Sequence, residues 1–147
     1  VSMVCSASCM VEIQGAEVYY NSDSVKDTVT AYVASDFIGP WVSSQSVNIR
    51  IFLQVETVSI QVPGISGTSI SSSQITMTPI LDQQYRHDCA TPLVFPILAI
   101  NNSSNVAGYV EIDSGGTLTI HPDVNLGSFA GSGTCGFHSF CIKYNTA

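Results

Sequence analysis

Gly108-Tyr-Val-Glu-Ile-Asp-Ser-Gly-Gly-Thr-Leu-Thr-Ile120 decides the fold, and Phe137-His-Ser-Phe-Cys-Ile-Lys-Tyr144 completes it. Val110 and Ile112, then Leu118 and Ile120, lie two apart, the spacing that sends one set of side chains to a single sheet face. Gly115-Gly116 falls between the two pairs, where a tight hairpin needs positive φ. The stretch therefore predicts strand, hairpin and strand, followed by a glycine-rich loop and a closing aromatic strand.

Working back toward the N-terminus, Leu93-Val-Phe-Pro-Ile-Leu-Ala-Ile100 is continuously apolar apart from Pro96. A strand of that kind is buried on both faces or lies at a subunit interface. Pro96, which lacks a donor, argues for an edge or a bulge. Asn101-Asn-Ser-Ser-Asn105 then turns the chain into the deciding stretch. Ile75 and Met77 alternate with threonines, and Pro63 to Ser73 is a Gly/Ser/Thr loop.

The clearest period of two runs from Val47 to Val62. Val47, Ile49, Ile51, Leu53 and Val55 share one face, with Asn48, Arg50, Gln54 and Glu56 opposite. The apolar set then moves to Val58, Ile60 and Val62, so a break near Glu56-Thr57 is needed to keep it on one core: one long bent strand, or two strands. Val25 to Ala34 predicts another strand, ended by Phe37-Ile-Gly-Pro-Trp41. Met10 to Tyr20 predicts two short β runs about Gly15. The sum is about eight strands and no helix longer than a turn or two. At 147 residues that is one all-β domain, an antiparallel β-sandwich of jelly-roll type.

Charged residues make up 10% of the chain, eleven acidic against four basic, for a net charge of −7. Such a balance repels nucleic acid, and Lys26, Arg50, Arg86 and Lys143 are scattered singly rather than gathered in a stripe. No apolar run approaches the roughly 20 residues of a membrane helix, so membrane insertion is not expected. Val1 opens without a charged-then-apolar leader, and we read residues 1–147 as a C-terminal fragment of a longer chain.

Five cysteines, Cys5, Cys9, Cys89, Cys135 and Cys141, leave at least one without an intrachain partner. Four extended residues span about 13 Å against the roughly 5.5 Å between Cα atoms of a disulfide, so Cys5–Cys9 needs a sharp turn; Cys135–Cys141 likewise needs a bend at Gly136.

Tests for chemistry point away from an enzyme. No Gly-x-Ser-x-Gly elbow is present, and Gly131-Ser-Gly133 describes a flexible turn. Cys89 beside His87 has no evident source of a lowered thiol pKa. Cys135, His138 and Cys141 recur every three residues, yet a strand sends His138 and Cys141 to opposite faces, so no metal site is expected. No cofactor is expected either. Asn101 and Asn102 each begin an Asn-x-Ser glycosylation pattern. Trp41 and Tyr85, with Tyr19 and Tyr20, offer rings for stacking on sugars or partners if exposed, or core packing if not.

Tyr85-Arg86, Leu93-Val-Phe-Pro-Ile, Gly108 to Ile120, Phe129 and Phe137 to Tyr144, in that order, resemble the heads of viral and phage fibres. At a coarser level they are similar to collagen-stalked heads related to C1q and tumour necrosis factor. The resemblance covers roughly the last 65 residues, and five cysteines and His87-Asp88 after the Tyr-Arg pair depart from phage examples. It implies a homotrimer at a virion surface or outside a cell, attaching to a receptor or glycan. Trp41, Tyr85 and Arg86 are the candidate ligand contacts, and the loops Phe37 to Ser46, Pro63 to Ser73 and His121 to Thr134 are candidate carriers. A carbohydrate-binding module and a structural capsid or shell protein are the alternatives.

Overall fold

The structure, a computed structural model, describes residues 28–146. The expected strands from Met10 to Tyr20, together with Cys5, Cys9, Tyr19, Tyr20 and Lys26, lie outside the described residues. The chain divides into two compact units, residues 1–30 with 52–57 and residues 31–51 with 58–147. Of the first, the described part is the start of one strand and a tight turn. The second carries the sheet.

The fold is all-β. Ten strands follow in chain order: β1 (Thr28–Ile38), β2 (Gln45–Gln54), β3 (Thr57–Val62), β4 (Ile65–Thr68), β5 (Ile75–Thr78), β6 (Leu93–Asn101), β7 (Ser104–Ile112), β8 (Leu118–His121), β9 (Thr134–Phe137) and β10 (Phe140–Asn145). They form one sheet in the order β10-β3-β2-β1-β5-β8-β7-β6-β9-β4. Two of the ten strands were not expected as separate elements. The Pro63 to Ser73 loop contains β4, and Phe137 to Tyr144 is divided at His138-Ser139 into the end of β9 and the start of β10.

The deciding stretch folds as its alternation requires. β7 and β8 pair antiparallel with Val110 opposite Ile120 and Ile112 opposite Leu118, all four fully buried. Asp113 to Thr117 makes the turn: Gly116 N–H donates to Asp113 O, Thr117 N–H donates to Asp113 Oδ1, and Gly116 adopts φ 88°. A side chain there is strained in that left-handed region. The phase change after Val55 is a hairpin turn between two strands. Val55 and Glu56 occupy it, Val55 with φ 57°, so Ile49 and Ile51 on β2 and Val58, Ile60 and Val62 on β3 are all buried.

β6 and β7 pair along their whole length, closed by a two-residue turn in which Asn102 and Ser103 both have positive φ. Asn tolerates this region better than most residues, and two such positions give the twist that suits a hairpin. Pro96 sits opposite Tyr109 on β7, whereas on its other side β6 pairs with β9 at Ala99 and Ile100. Its missing N–H thus falls beyond the β9 ladder, a local edge. Gly108 lies where the backbone is crowded: a Cβ there would stand 2.6 Å from Ala99 Cβ and 2.7 Å from His121 O.

β1 runs four residues past Ala34, because Phe37 pairs with Met77 on β5 and drops its ring into the core. Strands distant in the order meet there. Phe37 on β1, fourth in the order, packs edge-on to Phe137 on β9, ninth, with centroids 5.4 Å apart. Phe95 on β6 lies 6.5 Å from Tyr144 on β10, although one is eighth and the other first. Burying each large apolar side chain contributes on the order of 1.5–3 kcal/mol. Among the described residues, Cys89, Cys135 and Cys141 are free thiols, and Cys135 and Cys141 do not pair.

Candidate functional site

Trp41 and Tyr85 are core residues, the packing alternative for these two rings. Trp41 follows the β1 end, where Gly39 and Pro40 fold the chain back; its Nε1–H donates to Cys135 O at 3.0 Å, which fixes the indole. Tyr85 ends a single 3-10 turn, Gln83–Tyr85, and its carbonyl accepts the Tyr144 hydroxyl at 2.6 Å. Arg86 is half-buried, with Nε donating to Leu81 O at 2.8 Å. The three are brought into structural roles at separate places.

The glycosylation candidates sit at the β6–β7 tip. Asn101 Oδ1 accepts the Ala130 N–H at 2.9 Å, and the exposed Asn102 accepts the Ser132 hydroxyl at 3.1 Å. Of the candidate loops, Pro63 to Ser73 holds β4, and His121 to Thr134 is ordered by Asp123, whose Oδ1 accepts the N–H groups of Asn125 and Gly127.

The histidines are committed within the fold. Cys89 N–H donates to Nδ1 of buried His87 at 3.1 Å, so Nε2 carries the hydrogen and donates to Ile112 O at 2.8 Å. His121 places Nδ1 3.0 Å from Gly127 O and Nε2 2.9 Å from Glu111 Oε1. Among the described residues no three His, Cys, Asp or Glu side chains gather as metal ligands, and no helix is long and apolar enough to cross a membrane.

Two outward regions of the sheet remain as candidate sites. The first is β6–β7. Ile97 and Ala99 point inward, while Val94, Pro96 and Leu98 point out, and Val94 and Leu98 are 44% and 48% exposed. Register puts Tyr109 beside Pro96 and Ala107 beside Leu98, extending the apolar surface onto β7. The strand read as doubly apolar is thus buried on one face and open on the other. Glu111 lies opposite Val94, and its contact with His121 holds it.

The second region is a cleft of about 450 Å³ on the outer side of β2 and β3, bounded by the start of β10. Asn48 and Arg50 reach it because Ile49 and Ile51 take the inward positions of β2. Gln61 on β3 lies beside Arg50, and Pro63, Ser139 and Phe140 form the far wall. The Arg50 guanidinium is 5.6 Å from the Tyr32 ring centroid, and Nη1 donates to Gln61 Oε1 across a long 3.5 Å. The alternation of Asn48 and Arg50 against Ile49 and Ile51 was the legible signal of an outward polar row; the neighbours that make it a cleft were not.

No family model and no curated protein matches the chain. Among solved structures it is similar to a reovirus attachment protein, sigma1, in complex with alpha-2,3-sialyllactose, at 12% identity and a TM-score of 0.44 over 81% of this chain. The match covers 65% of that chain, so this one spans less than two-thirds of its length.

Proposed function

We propose that the chain is the non-enzymatic, homotrimeric head of a surface fibre or spike, displayed on a virion or otherwise outside a cell, and that it attaches to a receptor or glycan. Its domain is a sandwich of jelly-roll type. The observation that carries the reading is the open apolar face of β6–β7, with Val94, Pro96 and Leu98 facing outward. A contiguous apolar patch on a strand paired along its whole length with β7 favours contact with another chain over contact with water. The low charge of the sequence adds to this, since few charged groups would be stranded at a subunit interface.

Three copies around one axis follow from the resemblance to fibre heads carried by Leu93-Val-Phe-Pro-Ile and Gly108 to Ile120. Identical sites on three subunits then engage together, so weak single contacts give firm attachment. The carbohydrate-binding module takes its motive from Trp41 and the tyrosines Tyr19, Tyr20 and Tyr85, of which Trp41 and Tyr85 are buried. A shell protein would use the same face for open assembly.

Sedimentation equilibrium of the chain tests the reading, with a mass of three chains expected. A monomer at working concentration would overturn it, and large particles would favour the shell protein. Flow cytometry with the labelled chain tests attachment, with cell-surface binding expected and its absence counting against that half of the reading.

A further inference from the structure

We propose that the loop end of the second unit is the surface that meets the receptor, and that the receptor it fits is a protein, one offering an uncharged surface with room for two aliphatic side chains. The inference rests on the attachment reading and names the class of partner within it. Four connections build this end: residues 39–44 between β1 and β2, 69–74 between β4 and β5, 102–103 between β6 and β7, and 122–133 between β8 and β9. The three loops expected to carry receptor contacts therefore lie together, joined by the β6–β7 tip.

Backbone bonds tie these connections into one piece. Ile70 N–H donates to Pro40 O at 2.7 Å, Ser69 N–H to Gly133 O at 2.8 Å, Phe129 N–H to Ser73 O at 2.9 Å and Ser103 N–H to Thr134 O at 2.8 Å. Trp41 stands beneath them, its indole bonded to Cys135 O and so close to β4 that a Cβ on Gly67 would lie 3.0 Å from its Cδ1. Loops held this way have little freedom left to lose when a partner arrives.

The residue after Trp41 is Val42, 81% exposed, and Ile70, whose N–H is tied to Pro40, is 57% exposed. Ser43, Ser44, Ser71, Ser72, Asn102 and Ser132 are exposed with them. Serine and asparagine supply hydrogen bonds that adapt to a partner, as they do in protein-binding loops, while the aliphatic side chains supply the area to be buried.

Charge sets this end apart. The net charge is −7, yet residues 39–45, 68–74, 101–105 and 124–134 contain no Asp, Glu, Lys, Arg or His. The connections at the opposite end of the same strands, 79–92 and 113–117, hold Asp82, Arg86, Asp88 and Asp113. Depletion of charge is the mark of the buried part of a protein–protein contact. The chain enters this unit at Ala31 and reaches the loop end at Ile38, about 23 Å along β1. The end is thus a strand's length from the attachment of the preceding chain, where a displayed surface belongs.

A glycan is the competing occupant, and the loops disfavour it. Their two rings, Trp41 and Phe129, are buried, so neither offers a flat face on which a sugar could stack.

Flow cytometry with the labelled full chain, made in bacteria so that Asn101 and Asn102 carry no glycan, tests this on a panel of cultured animal cells. Binding is expected to disappear after proteinase K treatment of the cells and to survive mild periodate oxidation of their sugars. Val42→Asp combined with Ile70→Asp should raise the half-saturating concentration about tenfold or more, as loss of two central anchors implies. Val42→Ser combined with Ile70→Ser, which adds no charge, should weaken binding in the same direction. Ile80→Asp, at a half-exposed aliphatic of the opposite end, should leave it within about twofold. All variants should keep the wild-type unfolding midpoint and sedimenting mass. The inference alone is overturned if both double variants bind as wild type does, if periodate removes binding, or if the double variants sediment at a lower mass, which would assign this end to self-association. Wild-type chain that binds no cell of the panel overturns the attachment reading and this inference with it. A monomer that binds through this end keeps the inference and sinks the trimeric reading.

Discussion

The outer face of β6–β7 and the outer face of β2–β3 belong to one sheet and are built by the same alternation, but they meet water differently. On β6 the outward positions are Val94, Pro96 and Leu98; on β2 they include Asn48 and Arg50. Inward positions are matched in kind, Ile97 and Ala99 against Ile49 and Ile51. The inward set holds each strand in place, so the outward set is free to differ, and that freedom separates a surface suited to another protein chain from one suited to a polar ligand.

The largest perturbation should abolish the contrast by removing what both faces stand on. Phe137 packs edge-on to Phe37 and to Phe140, each at 5.4 Å, and Phe140 walls the cleft. Phe137→Ala leaves a cavity under β9 and should cost about 3–5 kcal/mol in denaturant titration. A loss under about 1 kcal/mol would mean the two faces do not share this support.

Tyr144 joins β10 to the rest of the core in a subtler way. Its hydroxyl donates to Tyr85 O, its ring lies against Phe95 of β6, and burial pushes its pKa above the ordinary tyrosine value. Tyr144→Phe leaves the Tyr85 carbonyl without this donor and should cost about 1–2 kcal/mol near neutral pH. The raised pKa adds a pH dependence of definite sign. Below about pH 10 the phenol is neutral folded or unfolded; above it the unfolded chain ionises first and stability falls. The stability gap between wild type and Tyr144→Phe should therefore narrow above about pH 10, measured by urea unfolding between pH 8 and 11. A gap that stays constant or widens would place the phenol in water.

Smallest in folding stability, and most informative about the two faces, is a charge placed on each. Leu98→Glu should change unfolding free energy by no more than about 0.5 kcal/mol, as for an exposed site, yet on the trimeric reading lower the sedimenting mass to that of one chain. Lys143→Glu, on the other face, should leave the sedimenting mass unchanged. Reversal of those two results would exchange the roles assigned to the faces.

Much of this fold was legible because alternation is a local property. Val110, Ile112, Leu118 and Ile120 announce a hairpin, Gly115-Gly116 marks its turn, and the shift from Ile51 to Val58 marks another. Strand order is not local, and what depends on it stayed hidden. Arg50 is beside Tyr32 and Gln61 only because β2 lies between β1 and β3. Trp41 is buried by a carbonyl 94 residues away, at Cys135, which no spacing near Trp41 could indicate. The exposed half of Leu93 to Ile100 was hidden for a related reason: an apolar residue facing solvent and one facing a core read alike until neighbours are known.

Among the described residues, β10 and β4 end the strand order, and they have six and four residues. Short terminal strands, one bearing Lys143, are poor templates for adding further strands edge to edge. Edge-to-edge lengthening of this chain into fibrils is thereby disfavoured.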